Sequence, residues 1–120
     1  MKRLLLIIPL LVMTFGCANM KGWTAHPRPW TTNEKLLLVA SSVAAAADAF
    51  TTDQGIKAGC SETFFMVGSY PSTGIIIGYT SIVQLIAIVA AHFNPDFRIS
   101  ILGGKAIANT GCAVRNSTMY

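Results

Sequence analysis

Charge is what this chain has least of. Only 12% of its 120 residues are Asp, Glu, Lys or Arg, while 52% are hydrophobic and the mean hydropathy is +0.54. A water-soluble domain usually carries about 25% charged residues, enough to cover its surface. Such a shortage excludes an ordinary water-facing globule and points to lipid as part of the solvent. Acidic side chains are fewest, five in all. No Lys/Arg run supplies the basic stripe of a nucleic-acid binder, so no nucleic-acid partner is expected. The chain has three cysteines and two histidines, without CxxC or Cys/His spacing, so no metal or other cofactor is expected. There is no P-loop, GxGxxG, HExxH, nucleophile elbow or SxxK pair, and the chain reads as non-catalytic.

One uncharged run lies near the start. Lys2 and Arg3 precede an apolar stretch, residues 4–15, and Gly16 stands just before Cys17. This charge, apolar core and small-residue order is that of an export signal. About 12 apolar residues fall short of the roughly 20 that a spanning helix needs. The segment Thr14-Phe15-Gly16-Cys17 resembles the lipobox of bacterial lipoproteins, although that box usually has Leu and a small residue where Thr14 and Phe15 stand. The resemblance implies lipidation of Cys17 and cleavage before it. The mature N-terminus would then lie on the extracytoplasmic side of a bacterial cell membrane. The alternative is a plain signal or an uncleaved anchor with an incidental cysteine. Cleavage would remove Lys2 and Arg3 and take the net charge from +4 to +2.

The domain plan is therefore a signal peptide over residues 1–16, a lipidated N-terminus and tether over 17–32, and a helical membrane domain over 33–116. Pro27 and Pro29 keep the tether out of a helix, and Trp23 and Trp30 suit the headgroup level or a plain linker. A first helix is expected from Asn33 to about Thr52, capped by Thr32 or Asn33. Its small residues recur every four positions: Ala40 and Ala44 with Asp48, and Ser41, Ala45 and Ala49 beside them. That spacing allows close helix approach in a membrane. A second helix is expected over residues 74–93, with a GxxxG pair at Gly74 and Gly78. After the turn at residues 94–97, residues 98–115 form a third, more polar helix. Its Lys105, Asn109, Cys112 and Asn116 share a face. Gly103 and Gly104 would mark a kink or a close contact. Between the first two helices, Phe64, Phe65, Met66 and Val67 are too apolar for a free loop and suit a re-entrant or interfacial piece. The fold class is all-α, a small membrane helical bundle of about three helices after the signal.

Asp48 stands out chemically, because an ionised carboxylate inside an apolar helix is costly. A polar cluster of Asp48, Thr52, Glu62, Lys105 and Asn109 would serve a proton or cation site or a binding pocket. The structural alternative pairs Asp48 with Lys105 to fix helix register. Glu62 reads otherwise as an exposed loop acid, and His92 as an interfacial side chain. Cys60 and Cys112 are left open as a pair.

One further likeness follows from these residues. Asp48 to Thr52, then Glu62, then Gly68-Ser69-Tyr70-Pro71, then an apolar helix and a late Asn resemble a family of small bacterial multi-helix membrane proteins. Those carry an Asp-x-x-x-Thr helix, a Glu-x-Asn-Pro loop, a Gly-x-x-Pro turn and a late Asn. The likeness covers residues 30–116 and places Asp48, Thr52, Glu62, Pro71 and Asn109 or Asn116 at the family's polar positions. The chain departs from it at Phe64-Phe65, where the family has Asn-Pro. It implies architecture and no particular activity.

With a lipidated Cys17 outside, three spans would put residues 53–73 and the C-terminus inside. Lys21, Arg28 and Arg98 would then face outward, against the usual positive-inside bias. The expected partners are membrane lipid and a membrane protein or a second copy of the chain. The expected role is binding such a partner; the alternative is a proton- or ion-handling protein centred on Asp48.

Overall fold

The computed structural model describes residues 23–60, 68 and 70–118. The signal segment, Cys17, Glu62 and the apolar run at 64–67 lie outside the described residues. Three α-helices follow in order: α1 (Thr32–Lys57), α2 (Thr73–Phe93) and α3 (Arg98–Thr118), with a 3-10 turn at Pro95–Phe97 joining the last two. No strand occurs among the described residues, so the all-α bundle expected from the sequence is what forms.

The helix starts are set by local hydrogen bonds. Thr31, not Thr32 or Asn33, caps α1. Its Oγ1 accepts from the Glu34 amide at 3.2 Å, and the Glu34 carboxylate accepts from the Thr31 amide at 2.9 Å. This reciprocal pair needs Thr and Glu three residues apart, which selects Thr31. Ser72 caps α2, accepting from the Ile75 amide at 3.3 Å.

α1 also runs past the expected end at Thr52, to Lys57. Two things extend it. Asp53 and Lys57 form an i,i+4 ion pair at 2.6 Å. Beyond the last turn, the Cys60 amide donates to the Gly55 carbonyl at 2.9 Å and the Gly59 amide to the Ile56 carbonyl at 3.0 Å. Those two bonds close the helix through a left-handed residue, and Gly59 supplies it at φ +92° without Cβ strain. α2 ends at Phe93 because Pro95 disfavours helical backbone at Asn94, whose φ is −132° and ψ 72°.

α1 and α3 run parallel and share the widest interface, and α2 runs antiparallel to both. One end holds the start of α1, the end of α2 and the start of α3. The opposite end holds the close of α1, the start of α2 and the close of α3. The interior is built mostly from small and polar side chains, Ser41, Ala44 and Ala45 of α1, Gln84, Ala87, Ala90 and Ala91 of α2, and Asn109 and Ala113 of α3, with Ile76 and Leu102 as its large aliphatic members. Small side chains let α1 approach its neighbours closely, as its four-residue spacing predicts.

Large apolar side chains instead cover the outside. Val43 and Phe50 of α1, Ile82 and Leu85 of α2, and Ile107 and Val114 of α3 are each 59% exposed or more. α1 and α2 are long and apolar enough to cross a membrane by length and composition. Their 26 and 21 residues give about 39 and 31 Å at 1.5 Å per residue, against a hydrocarbon core of about 30 Å.

Two expected close contacts do not form among the described residues. A Cβ added at Gly78, Gly103 or Gly104 would meet nothing within 4 Å, and one at Gly74 only the Ser72 Oγ at 4.0 Å. The Gly74–Gly78 face therefore looks into open space, because α2 turns its alanines, not its glycines, toward α1 and α3.

Candidate functional site

Polar side chains gather at both ends of the bundle. At the first end the organising residue is Arg98, which opens α3 and is fully buried. Its Nε donates to the Ala91 carbonyl at 3.0 Å. Nη1 donates to Pro29 O at 3.3 Å and to Glu34 Oε2 at 3.2 Å, and Nη2 to Arg28 O at 2.9 Å and His92 O at 3.1 Å. A guanidinium has five N–H donors in a fixed fork, and here each has an acceptor. Ala91 and His92 belong to the last turn of α2, whose carbonyls lack helical partners and carry the negative end of the helix dipole. The same guanidinium lies 4.4 Å above the Trp30 ring.

Glu34 answers this charge. It is 2% exposed and pairs with Arg28 as well, through Nη1 at 3.0 Å and Nη2 at 2.5 Å. Glu34 stands before the apolar stretch of α1, which begins at Leu36. The Arg28 hydrogen bonds, helped by the Thr31 amide and Arg98, hold its carboxyl down to about 2, against burial, which pushes the other way.

Residues 24–31 are consequently no loose tether. The Thr24 amide donates to Phe93 O at 2.9 Å, Arg28 Nη2 to Pro95 O at 3.3 Å, and Trp30 Nε1 to His92 Nδ1 at 3.2 Å. This strap lies across the end of the bundle. His92, read from the sequence as an isolated interfacial side chain, is its latch partner.

The second end contains the residue singled out from the sequence. Asn116 Nδ2 donates toward Asp48 Oδ1 at 3.4 Å, Thr51 Oγ1 at 3.3 Å and Thr52 Oγ1 at 3.0 Å. Asp48 and Thr52 thus meet, one turn apart, and the late Asn that joins them is Asn116 rather than Asn109. Lys105 is half-buried on α3, within electrostatic reach of Asp48. Asn109 is buried deeper in the bundle, and its Nδ2 meets no acceptor among the described residues. Cys112 turns outward, and Cys60 and Cys112 are not joined by a disulfide. Beside the cluster, Thr73 at the start of α2 donates to Asp53 Oδ1 at 2.6 Å. Replacing Asn116 by alanine is expected to cost about 0.5–1.5 kcal/mol, the usual range for an interhelical polar contact in a membrane bundle. Denaturant titration in micelles measures it.

Midway between the ends, Gln84 Nε2 donates to Ser41 Oγ at 3.0 Å and Ser42 Oγ at 3.2 Å, tying α2 to α1. An open cleft of about 400 Å³ runs from there toward the second end, lined mainly by Ala45, Ala46, Ala49, Ile77 and Thr80. Among the described residues, no three His, Cys, Asp or Glu side chains are grouped to hold a metal ion. Gln84 was missed because one amide in an apolar helix leaves no pattern. Arg98 and Glu34 were missed as a pair because 64 residues separate them.

No family model, curated protein or solved structure matches the chain.

Proposed function

We propose that the chain is a small lipoprotein of the bacterial cell envelope, exported by residues 1–16 and anchored through Cys17. Its helices embed it in the cell membrane, with the strap end on the extracytoplasmic side. It acts without catalysis, by binding a partner protein beside or within the bilayer. The observation that carries membrane embedding is the largely inverted distribution of side chains: amides, hydroxyls and alanines inside with only Ile76 and Leu102 among the large apolar groups of the described core, and most large apolar groups outside. In water the outer surface would be an extensive apolar patch, whereas in lipid it is matched to its solvent. The charge pattern also weighs less against this orientation than a simple count suggests, since Arg28 and Arg98 share the Glu34 carboxylate.

Partner binding is supported by the open Gly74–Gly78 face, a spacing that admits a second helix at close range. Mass analysis of the purified mature chain tests the anchor: a diacylglyceryl group on an N-terminal Cys17 is expected, and an intact Met1 overturns it. Affinity recovery from membranes tests the role. A second protein or a second copy should co-purify and be lost in Gly78→Ile. Recovery of the bare monomer alone would end this reading.

The second reading is proton or cation handling, favoured by the convergence of Asp48, Thr51, Thr52 and Asn116. Asp48→Asn should then abolish a proton-coupled phenotype at normal expression. An unchanged phenotype excludes it.

A further inference from the structure

We infer that the open cleft between α1 and α2 binds a lipid-soluble molecule with an apolar body and one O–H or N–H donor, which the side-chain oxygen of Gln84 receives. A chain of hydrogen bonds fixes which way that amide faces. Ser41 Oγ and Ser42 Oγ donate to the Leu38 carbonyl at 3.0 and 2.8 Å. A hydroxyl has one hydrogen, so both serines can only accept from Gln84. They accept from Nε2, at 3.0 and 3.2 Å. Turning the amide over would set Oε1 against two oxygens that have no hydrogen left to give. Oε1 is therefore held away from the serines, and among the described residues no donor meets it. Gln84 is 8% exposed, and a buried acceptor without a donor is costly.

Gln84 and Ser42 both line the cleft. The terminal torsion of a glutamine is broad, so Oε1 can swing toward the cleft while Nε2 keeps Ser42. Thr80 and Ser81, one turn before Gln84 in α2, line the same wall and do not donate to Oε1. The rest of the lining is largely apolar, with Ala46 and Ala49 facing Ile77, so it suits a ligand whose body is apolar. Size decides between a small molecule and a helix. The cleft runs from Gln84 to Thr73, about 16 Å along α2 at 1.5 Å per residue. A helix about 10 Å across fills its volume of about 400 Å³ with a single turn. A helix could lie along it only if α1 and α2 parted, whereas small-molecule sites of about 300–1,000 Å³ are the rule.

The site depends on neither lipidation nor a partner protein, so its test stands apart from theirs. The full chain in phosphocholine micelles, whose detergent has no donor, is titrated with β-naphthol and with its methyl ether at matched micellar mole fraction. The two probes share the ring system, and only the naphthol can donate. Naphthol is expected to saturate one site, shifting the methyl signals of Ala46 and Ala49 and the side-chain amide signals of Gln84. It should bind about tenfold tighter than the ether, the effect of one hydrogen bond to a buried acceptor. In Gln84→Leu the two affinities should become equal. Ala49→Leu, which fills the cleft and leaves every Gln84 bond in place, should abolish binding of both. Four results would each overturn the inference: uptake that never saturates and only follows the micelle, equal affinities in the parent chain, a preference that persists in Gln84→Leu, or naphthol binding that survives Ala49→Leu.

Discussion

Arg98→Met is expected to lower the stability of the bundle by about 3 kcal/mol or more, the cost of removing one partner from a buried ion pair. Methionine fills similar space but offers no donor. Three carbonyls, of Ala91, His92 and Arg28, lose this N–H, Pro29 O keeps only Arg28 Nη1, and Glu34 keeps Arg28 as its sole cation. Buried carbonyls without donors are costly because no water replaces the lost bond. The strap, the last turn of α2 and the start of α1 all depend on this one side chain, so the loss should be cooperative. Arg98→Lys should recover less than half of it. An ammonium keeps the charge, but its three donors on a flexible stem cannot reach five acceptors spread over three segments. Denaturant unfolding in micelles, followed by helical circular dichroism, measures both variants. A methionine variant within about 1 kcal/mol of the parent would show that Arg98 is not the node described here.

Acid should weaken the same end by a second route. Glu34 has its folded-state value held down to about 2, below the ordinary 4.5, first by Arg28 and then by Thr31 and Arg98. A depressed carboxyl contributes stability that is complete above its unfolded value and is lost as the pH falls through its folded one. The window is therefore pH 4.5 to about 2. Within it, uptake of one proton on unfolding should give a slope of about 1.4 kcal/mol per pH unit. Glu34→Gln should be less stable at neutral pH, because its amide cannot satisfy two guanidinium groups, and should show no such slope. A parent chain with flat stability across the window would refute the assignment.

The sequence by itself determined the class of the protein and most of its segmentation. Charge scarcity, the uninterrupted run at 74–93 and the proline after Asn94 sufficed for an all-helical chain. They also placed α2 to within a residue and the turn at 94–97. These features are local: they depend on backbone sterics and on apolar length, which neighbours in sequence decide. The one-turn spacing of Asp48 and Thr52 on α1 was legible for the same reason.

Tertiary structure alone decided which of those polar groups meet across helices. Asn116 rather than Asn109 reaches Asp48 because the offset of α3 along α1 sets the depth of each side chain, and that offset follows from packing. The glycines of α2 face outward because its alanines fit the interior better. The strap illustrates the limit most plainly. Residues 24–31, rich in proline and without periodicity, carry no signal of their own order. They are held by Arg98, nearly seventy residues away in sequence. Carbonyls at the end of one helix needed donors, and only the folded chain brings a buried guanidinium to them.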